Sequence, residues 1–390
     1  MLYINGEWKM EGNQMDVINP ATGEVIESVA TGGKEETREA IECATAAFKT
    51  WKKRTGNERS RYLSKVVALM RKRREELATV ITSENGKPLF DAKGEVLSAI
   101  AYLEWYAEEA KRVYGDTLPA SHADKQLMVL REPIGVCAAI TPWNFPMSMI
   151  TRKIAPALAA GCTVVLKPAA QTPLSAIKVF ECFHEAGIPE GVVNLIIGPA
   201  EEIGKEMTSS PDVRKLTFTG STAVGKKLIR DSADTVKKVS MELGGHAPFI
   251  VFEDADLDMA VEGVLLTKFR NAGQTCISTN RIYVEESVAE EFGKRLAAKT
   301  AELKVGNGME KGVDVGPVIN QGALEKIAAQ VEDAVSHRAE ILHGGNVYEP
   351  KDGGGYFYEP TVIQHATEEM LIATEETFGP IAPIFTFKTE

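Results

Sequence analysis

The sequence predicts an α/β protein whose parallel sheets are covered by helices on both faces. Three observations carry that expectation. From Val136 onward, short apolar runs alternate with stretches of helical periodicity: VCAAI precedes MSMITRKIAPALAAG, CTVVLK precedes a helical stretch from Pro173 to Ala186, and KLTFTG precedes GKKLIRDSA. Strands connected through helices pair in parallel and are buried on both sides, so they read as continuous apolar runs. Upstream, apolar residues recur at three- and four-residue spacing from Lys34 to Lys53 and from Glu58 to Lys87, the spacing of amphipathic helices. Finally, 390 residues exceed what one compact core holds, so roughly two or three domains are expected.

In chain order, the first forty residues alternate around Asn-Gly, Asn-Pro and Thr-Gly breaks and predict short strands and turns that wrap the body. A third helix is expected from Ala92 to Tyr114. The charge runs Arg71 to Arg74 and Glu108-Glu109 read as solvated helix faces rather than a binding patch. Asp116 to Pro133, broken by Pro119, is an excursion from the main body, and QLMVLREPIG alternates enough to be a strand. VVNLIIG adds a strand to the sheet. A helix is expected from Asp256 to Arg270, then RIYVEE as strand and Val288 to Lys304 as helix. Gly306 to Pro317 and Gly344 to Tyr358 read as loops, and EETFGPIAPIFTF leaves the chain ending in mid-strand.

Composition removes several function classes. With 44 basic against 55 acidic residues the net charge is -11, which disfavours a phosphate-backbone partner, so nucleic acid is not expected. The five cysteines (Cys43, Cys137, Cys162, Cys182, Cys276) are scattered and odd in number, with no CxxC or Cys/His cluster. They read as reduced thiols without a metal site. MLYINGEWKMEGN lacks the charged start and apolar core of a signal peptide, and no run approaches the ~20 apolar residues of a membrane span. The expected location is cytoplasmic.

Cys276 stands out because FRNAGQTCIS surrounds it with small and polar residues, where a thiol can be reached and activated. Composition alone leaves an inert packed cysteine equally open. GSTAVG, Gly220 to Gly225, sits where a strand passes into a helix; its backbone N–H groups could meet a phosphate, or it is a plain tight turn. Lys167 ends CTVVLK either as a solvated strand-end lysine or as a group that holds a dinucleotide's ribose or phosphate. Glu242 precedes Leu243-Gly244-Gly245, where a ligand or water can approach it closely, although such a carboxylate is commonly just a turn residue. His246 is as compatible with a structural hydrogen bond as with a base.

TPWNFP, LAAGCTVVLKPA, FTGSTAVG, MELGG, NAGQTC and EETFGP occur in the order in which the aldehyde dehydrogenase family carries them, and the chain resembles that family along essentially its whole length. The resemblance implies a Rossmann-type cofactor domain (1-113 and 135-243), an α/β catalytic domain (244-390) and a small β oligomerisation arm (114-134), hence a homodimer or homotetramer. It implies Cys276 as nucleophile, Asn144 as oxyanion donor with the backbone N–H of Cys276, and Glu242 as general base. Trp143, Lys167, Gly220, Ser221, Glu376 and Phe378 would contact the cofactor. Within the family the likeness is to the succinate-semialdehyde dehydrogenases, in which Arg152 and Arg270 would grip the distal carboxylate of a semialdehyde; structural ion pairs are the competing role for these arginines. Ala170 stands where NAD-preferring relatives carry a glutamate, so NADP is the expected cofactor, with NAD also usable. Glutarate semialdehyde is the alternative substrate. A non-redox cysteine acyl hydrolase and a non-catalytic binding protein on the same fold are the alternative classes. Two departures are noted. The chain ends at Glu390, short of the family's usual end, so the last part of the pocket wall and one strand of the oligomerisation sheet are expected to be absent. Ser278 stands where some relatives place a second cysteine, so no disulfide switch is expected there.

Overall fold

The computed structural model describes residues 1-350 and 353-390. The chain divides into two compact units: Met1–Val17, Ser28–Leu77 and Lys93–Glu242 form one, and Ile18–Glu27, Ala78–Ala92 and Leu243–Glu390 the other. Among the described residues no helix is long and apolar enough to cross a membrane.

Strands β1 (Leu2–Ile4) and β2 (Glu7–Lys9) pair through Asn5-Gly6, both at positive φ (53° and 86°), as a two-residue hairpin turn demands. β3 (Asn13–Ile18) and β4 (Val25–Thr31) form a two-stranded sheet. Helix α1 (Lys34–Trp51) follows, then α2 (Gly56–Lys72), whose start is fixed by a capping box between Thr55 and Glu58. The single helix expected to reach Lys87 is two, because Arg73 leaves helical geometry (φ -98°, ψ 12°) before α3 (Arg74–Asn85). α4 (Leu89–Glu109) stops five residues before the expected Tyr114. The excursion contains β5 (Asp116–Leu118) and β6 (Leu127–Val129), an exposed antiparallel pair shorter than QLMVLREPIG suggested.

The first unit's core is then laid down by β7 (Val136–Ile140), α5 (Ser148–Ala160), β8 (Thr163–Lys167), α6 (Pro173–Glu185), β9 (Val193–Leu195), α7 (Ala200–Ser209), β10 (Val213–Thr219), α8 (Thr222–Asp231) and β11 (Lys238–Glu242). Local chemistry sets the boundaries. Gly161 ends α5 in the left-handed region at φ 93°, and Pro173 opens α6 at a position where its missing N–H costs nothing. The seven-stranded sheet runs β11-β10-β7-β8-β9-β1-β2, parallel from β11 to β9, with β1 and β2 added antiparallel at the edge. From β7 the chain moves outward through β8 and β9, then returns to the other side of β7 for β10 and β11. The order therefore reverses between β7 and β10, and such a switch point opens a crevice at the carboxyl ends of the strands.

The second unit holds β12 (Ala247–Val251), α9 (Leu257–Lys268), β13 (Thr279–Glu285), α10 (Glu286–Thr300), α11 (Gln321–Ser336), β14 (Glu340–His343), β15 (Val347–Tyr348), β16 (Phe357–Tyr358), β17 (Thr361–Gln364), α12 (Leu371–Thr374) and β18 (Ile381–Phe387). Its main sheet runs β12-β13-β18-β17-β14, parallel except for the last pair. Val264, Ile282, Val284, Phe292, Leu296, Ile363 and Ile384 fill the core beneath it. Asp256 caps α9 by accepting from the N–H groups of Asp258 (3.0 Å) and Met259 (3.1 Å), a cap whose loss typically costs about 1 kcal/mol. Two expectations are corrected. The segment read as a loop from Gly344 to Tyr358 contains the paired strands β15 and β16, and β18 ends at Phe387, three residues before Glu390, rather than running to the last residue.

Candidate active site

In the first unit the candidate residues gather at the carboxyl ends of the parallel strands. Register places Ile140 beside Lys167 and Phe218, and Thr219 beside Glu242, so these ends share one edge. The loop after β7 carries half-buried Trp143 and buried Asn144. This loop is pinned by a residue that sequence reading missed: the Glu95 carboxylate on α4, 1% exposed, accepts from the N–H groups of Met147 (2.9 Å) and Ser148 (3.2 Å). A carboxylate there satisfies orphan donors at the start of α5 and complements its dipole.

Lys153 on α5 was missed as well. Its ammonium donates to Thr217 Oγ1 (3.0 Å); burial lowers it to about 8, and the Glu242 carboxylate works against that shift. The preceding residue, Arg152, is exposed, with its guanidinium 5.8 Å from the centre of the Tyr102 ring. Lys167 is not the solvated lysine that one reading allowed. It is 5% exposed, donates to the Pro168 carbonyl (3.0 Å), and is lowered to about 8 by burial. Ala170, three residues on, is exposed.

After β10, Gly220 donates its N–H to the Glu242 carbonyl (3.1 Å), and a Cβ there would lie 2.5 Å from the Phe218 ring. Ser221 is the N-cap of α8, accepting from Val224 N–H (3.4 Å). Glu242 is the exposed last residue of β11 rather than part of a turn. Two hydroxyls on this edge, Thr141 Oγ1 and Thr219 Oγ1, are buried with no partner among the described residues. Such groups call for a hydrogen-bond partner, which water or a polar ligand can supply.

In the second unit Cys276 sits half-buried on the loop between α9 and β13. Asn271, Ala272 and Gly273 take consecutive left-handed conformations (φ 51°, 53°, 73°), a conformation that persists only where the surroundings enforce it. Gln274, wholly buried, supplies the enforcement: its amide donates to the carbonyls of Asn271 (3.0 Å) and Pro317 (3.3 Å) and accepts from Ile319 N–H (2.9 Å). Asn271 N–H donates to Asp91 Oδ2 (3.3 Å). A Cβ at Gly273 would meet the Gly379 carbonyl at 2.1 Å, and one at Gly245 would lie 3.2 Å from the Cys276 carbonyl.

These contacts bring the cysteine loop against the Glu376–Gly379 turn and the Gly244-Gly245 pair. Glu376 accepts from Gly245 N–H (3.2 Å), and a Cβ on Gly244 would stand 2.4 Å from its carboxylate. Burial raises Glu376, opposed by that N–H and by Lys326 and Lys268. Phe378 holds φ 56° in the same turn. Arg270 is exposed at the start of the loop. His246 is occupied structurally: its Nε2 bonds the Ile372 carbonyl (3.1 Å), and its own carbonyl accepts from Arg281 Nε (3.0 Å).

Comparison with known proteins agrees with this architecture. The description of the Aldehyde dehydrogenase family matches residues 8-390. A glutarate-semialdehyde dehydrogenase of Pseudomonas putida is 53% identical over 390 residues, covering 100% of this chain and 80% of that protein. A succinate-semialdehyde dehydrogenase of Escherichia coli, named for NADP(+), is 50% identical over 389 residues, covering 99% and 80%. The crystal structure of succinate-semialdehyde dehydrogenase from Burkholderia pseudomallei superposes with a TM-score of 0.97 at 50% identity, covering 100% of this chain and 80% of that one. The chain belongs to the aldehyde dehydrogenase family.

Proposed function

We propose that this chain oxidises succinate semialdehyde to succinate, with NADP as the preferred cofactor and NAD also used. The observation that carries the substrate reading is Arg152: it is exposed on α5, its guanidinium lies over the Tyr102 ring, and among the described residues no carboxylate pairs with it. Its charge is available for an anionic substrate tail, and Arg270 is assigned the same role. Relatives named for two dicarboxylic semialdehydes support the choice, and glutarate semialdehyde, one methylene longer, is the second substrate of the class.

In this reading the Cys276 sulfur adds to the aldehyde carbon, and the resulting oxyanion is held by the Asn144 amide and the Cys276 backbone N–H. One such donor is typically worth ~3 kcal/mol in the transition state. A nicotinamide, when bound, accepts the hydride from that carbon. Glu242 then takes a proton from the water that hydrolyses the Cys276 thioester. At the strand-end edge two buried hydroxyls lack partners among the described residues and Lys167 supplies a cation, which supports a cofactor there; Gly220 precedes the Ser221 cap of α8, its missing Cβ admitting the Phe218 ring. Trp143, Ser221, Glu376 and Phe378 complete the proposed contacts, and Ala170 carries no carboxylate to repel a 2′-phosphate.

We assign most of the cofactor contacts to the first unit, and the nucleophile together with Glu376 and Phe378 to the second. The chain is placed in the cytoplasm, as a dimer or tetramer. The β5–β6 pair exposes Leu118, Leu127, Met128 and Val129, which supports an interface there.

The test is reduced-nicotinamide absorbance with succinate semialdehyde, glutarate semialdehyde and butanal, each with NADP and NAD. Arg152→Ala should raise KM for the semialdehydes roughly 10- to 100-fold, matching a lost charge-assisted contact of ~1.5–3 kcal/mol, and leave butanal nearly unchanged. Equal losses on all three would make Arg152 structural. Ala170→Glu should shift preference toward NAD. Cofactor-independent ester cleavage at a rate matching oxidation would favour the hydrolase reading.

A further inference from the structure

Lys268 is the last residue of α9 and is completely buried. Its ammonium donates to Asn280 Oδ1 at 2.9 Å, joining the end of α9 to β13 across the loop that carries Cys276. A second bond lies beside it: Thr267 Oγ1 and Thr279 Oγ1 are 2.8 Å apart. Residues 267 and 268 are thus tied to 279 and 280 by two side-chain bonds at the neck of the loop. Neither polar group is needed for packing, since a Met-Leu pair would fill similar space without desolvating a cation. The cost is visible in the structure: Asn280 Nδ2, also buried, has no partner among the described residues, and burial lowers Lys268 to about 7, with only Glu376 opposing the shift. His246 feels the same ammonium as a repulsion.

We propose that Lys268 is a positioning residue for the reaction: its bond to Asn280, beside the Thr267–Thr279 bond, holds the neck of the Cys276 loop at one width and register and so sets where the sulfur is presented. Apolar contacts tolerate sliding; a hydrogen bond fixes length and direction. The Gln274 and Asp91 contacts hold the first half of the loop. The return to β13, after Cys276, has the Ser278–Thr275 backbone bond and then these neck bonds. This inference rests on the reading of Cys276 as nucleophile.

Its test compares Lys268→Met, Asn280→Leu, the double variant and Asn280→Asp in the full chain. Three quantities are followed: the iodoacetamide alkylation rate of Cys276, mapped by peptide mass without substrate or cofactor; the melting temperature; and kcat and KM. Lys268→Met should slow alkylation and lower kcat by about 10- to 100-fold, the size of effect expected from misplacing a reacting group by about 1 Å, with KM changed less than about threefold. The double variant should regain melting temperature, because neither partner is left unpaired, and should remain slow. Asn280→Asp, which keeps an oxygen acceptor, should recover rate relative to Asn280→Leu. That last comparison decides the matter if Lys268→Met does not fold. A double variant that regains alkylation rate together with stability would make the pair a packing element and overturn the proposal. Undiminished turnover of Cys276→Ser would instead remove the nucleophile reading itself, and needs no Lys268 variant to be seen.

Discussion

Lys268, Lys153, Lys167 and Lys237 are lysines that folding takes out of water, and each is lowered by burial, Lys268 to about 7 and the others to about 8. An unfolded lysine titrates near ~10.4, so between about pH 7 and 10.4 the unfolded chain binds more protons at residue 268 than the folded one. Stability from this group therefore rises with pH across that window, and the full penalty applies below about pH 7. Denaturant midpoints at pH 7, 8.5 and 10 should show Lys268→Met losing ground against the parent as pH rises; a constant difference would mean that Lys268 is not desolvated as described. Such residues were hard to read from sequence. Cys276, Asn144 and Glu242 drew notice because each sits among small or turn-forming neighbours or within an ordered motif. Glu95, Lys153, Lys268 and Asn280 lie in helical or strand-like stretches, where Lys and Glu ordinarily mark the wet face. Their partners lie up to 64 residues away, and no local pattern reports a partner at that distance.

At the scale of elements, the nucleophile loop depends on glycine where neither space nor dihedral allows anything else. Gly273 combines φ 73° with a Cβ position 2.1 Å from the Gly379 carbonyl. Gly273→Ala is therefore expected to displace the loop rather than simply destabilise it. Backbone strain of this kind costs on the order of 1–3 kcal/mol, and the measured signature should be a fall in Cys276 alkylation rate larger than the drop in melting temperature implies. An alanine variant with parental reactivity would show that the loop can relax without moving the sulfur. Most strands and helices of the parallel sheet were legible because apolar runs and helical periods alternate cleanly from Val136. The errors fell where tertiary contacts override pattern. The break at Arg73 interrupts an otherwise continuous helical period, and β15 and β16 form inside a glycine-rich stretch because Val347–Tyr348 finds Phe357–Tyr358 as a partner. The β1–β2 addition to the sheet edge gave no signal beyond its Asn-Gly turn.

At the scale of the whole molecule, the second unit is assembled from three separated stretches of chain. Tyr356 N–H donates to the Pro20 carbonyl at 3.0 Å, Leu89 N–H to the Gly308 carbonyl at 2.9 Å, and Asn271 N–H to Asp91. A fragment of residues 243-390 expressed alone should therefore lack cooperative unfolding, and adding peptides of residues 18-27 and 78-92 should restore part of it; cooperative melting of the bare fragment would show these strands of chain to be dispensable. The same interleaving imposes a schedule on synthesis. Asp91 leaves the ribosome 180 residues ahead of Asn271, which at about 5–20 residues per second is a wait on the order of 10–40 s. During that wait the early stretches have no surface to join. Slow codons or chaperone occupancy between residues 92 and 243 would thus affect the yield of the second unit through residues that were translated long before it.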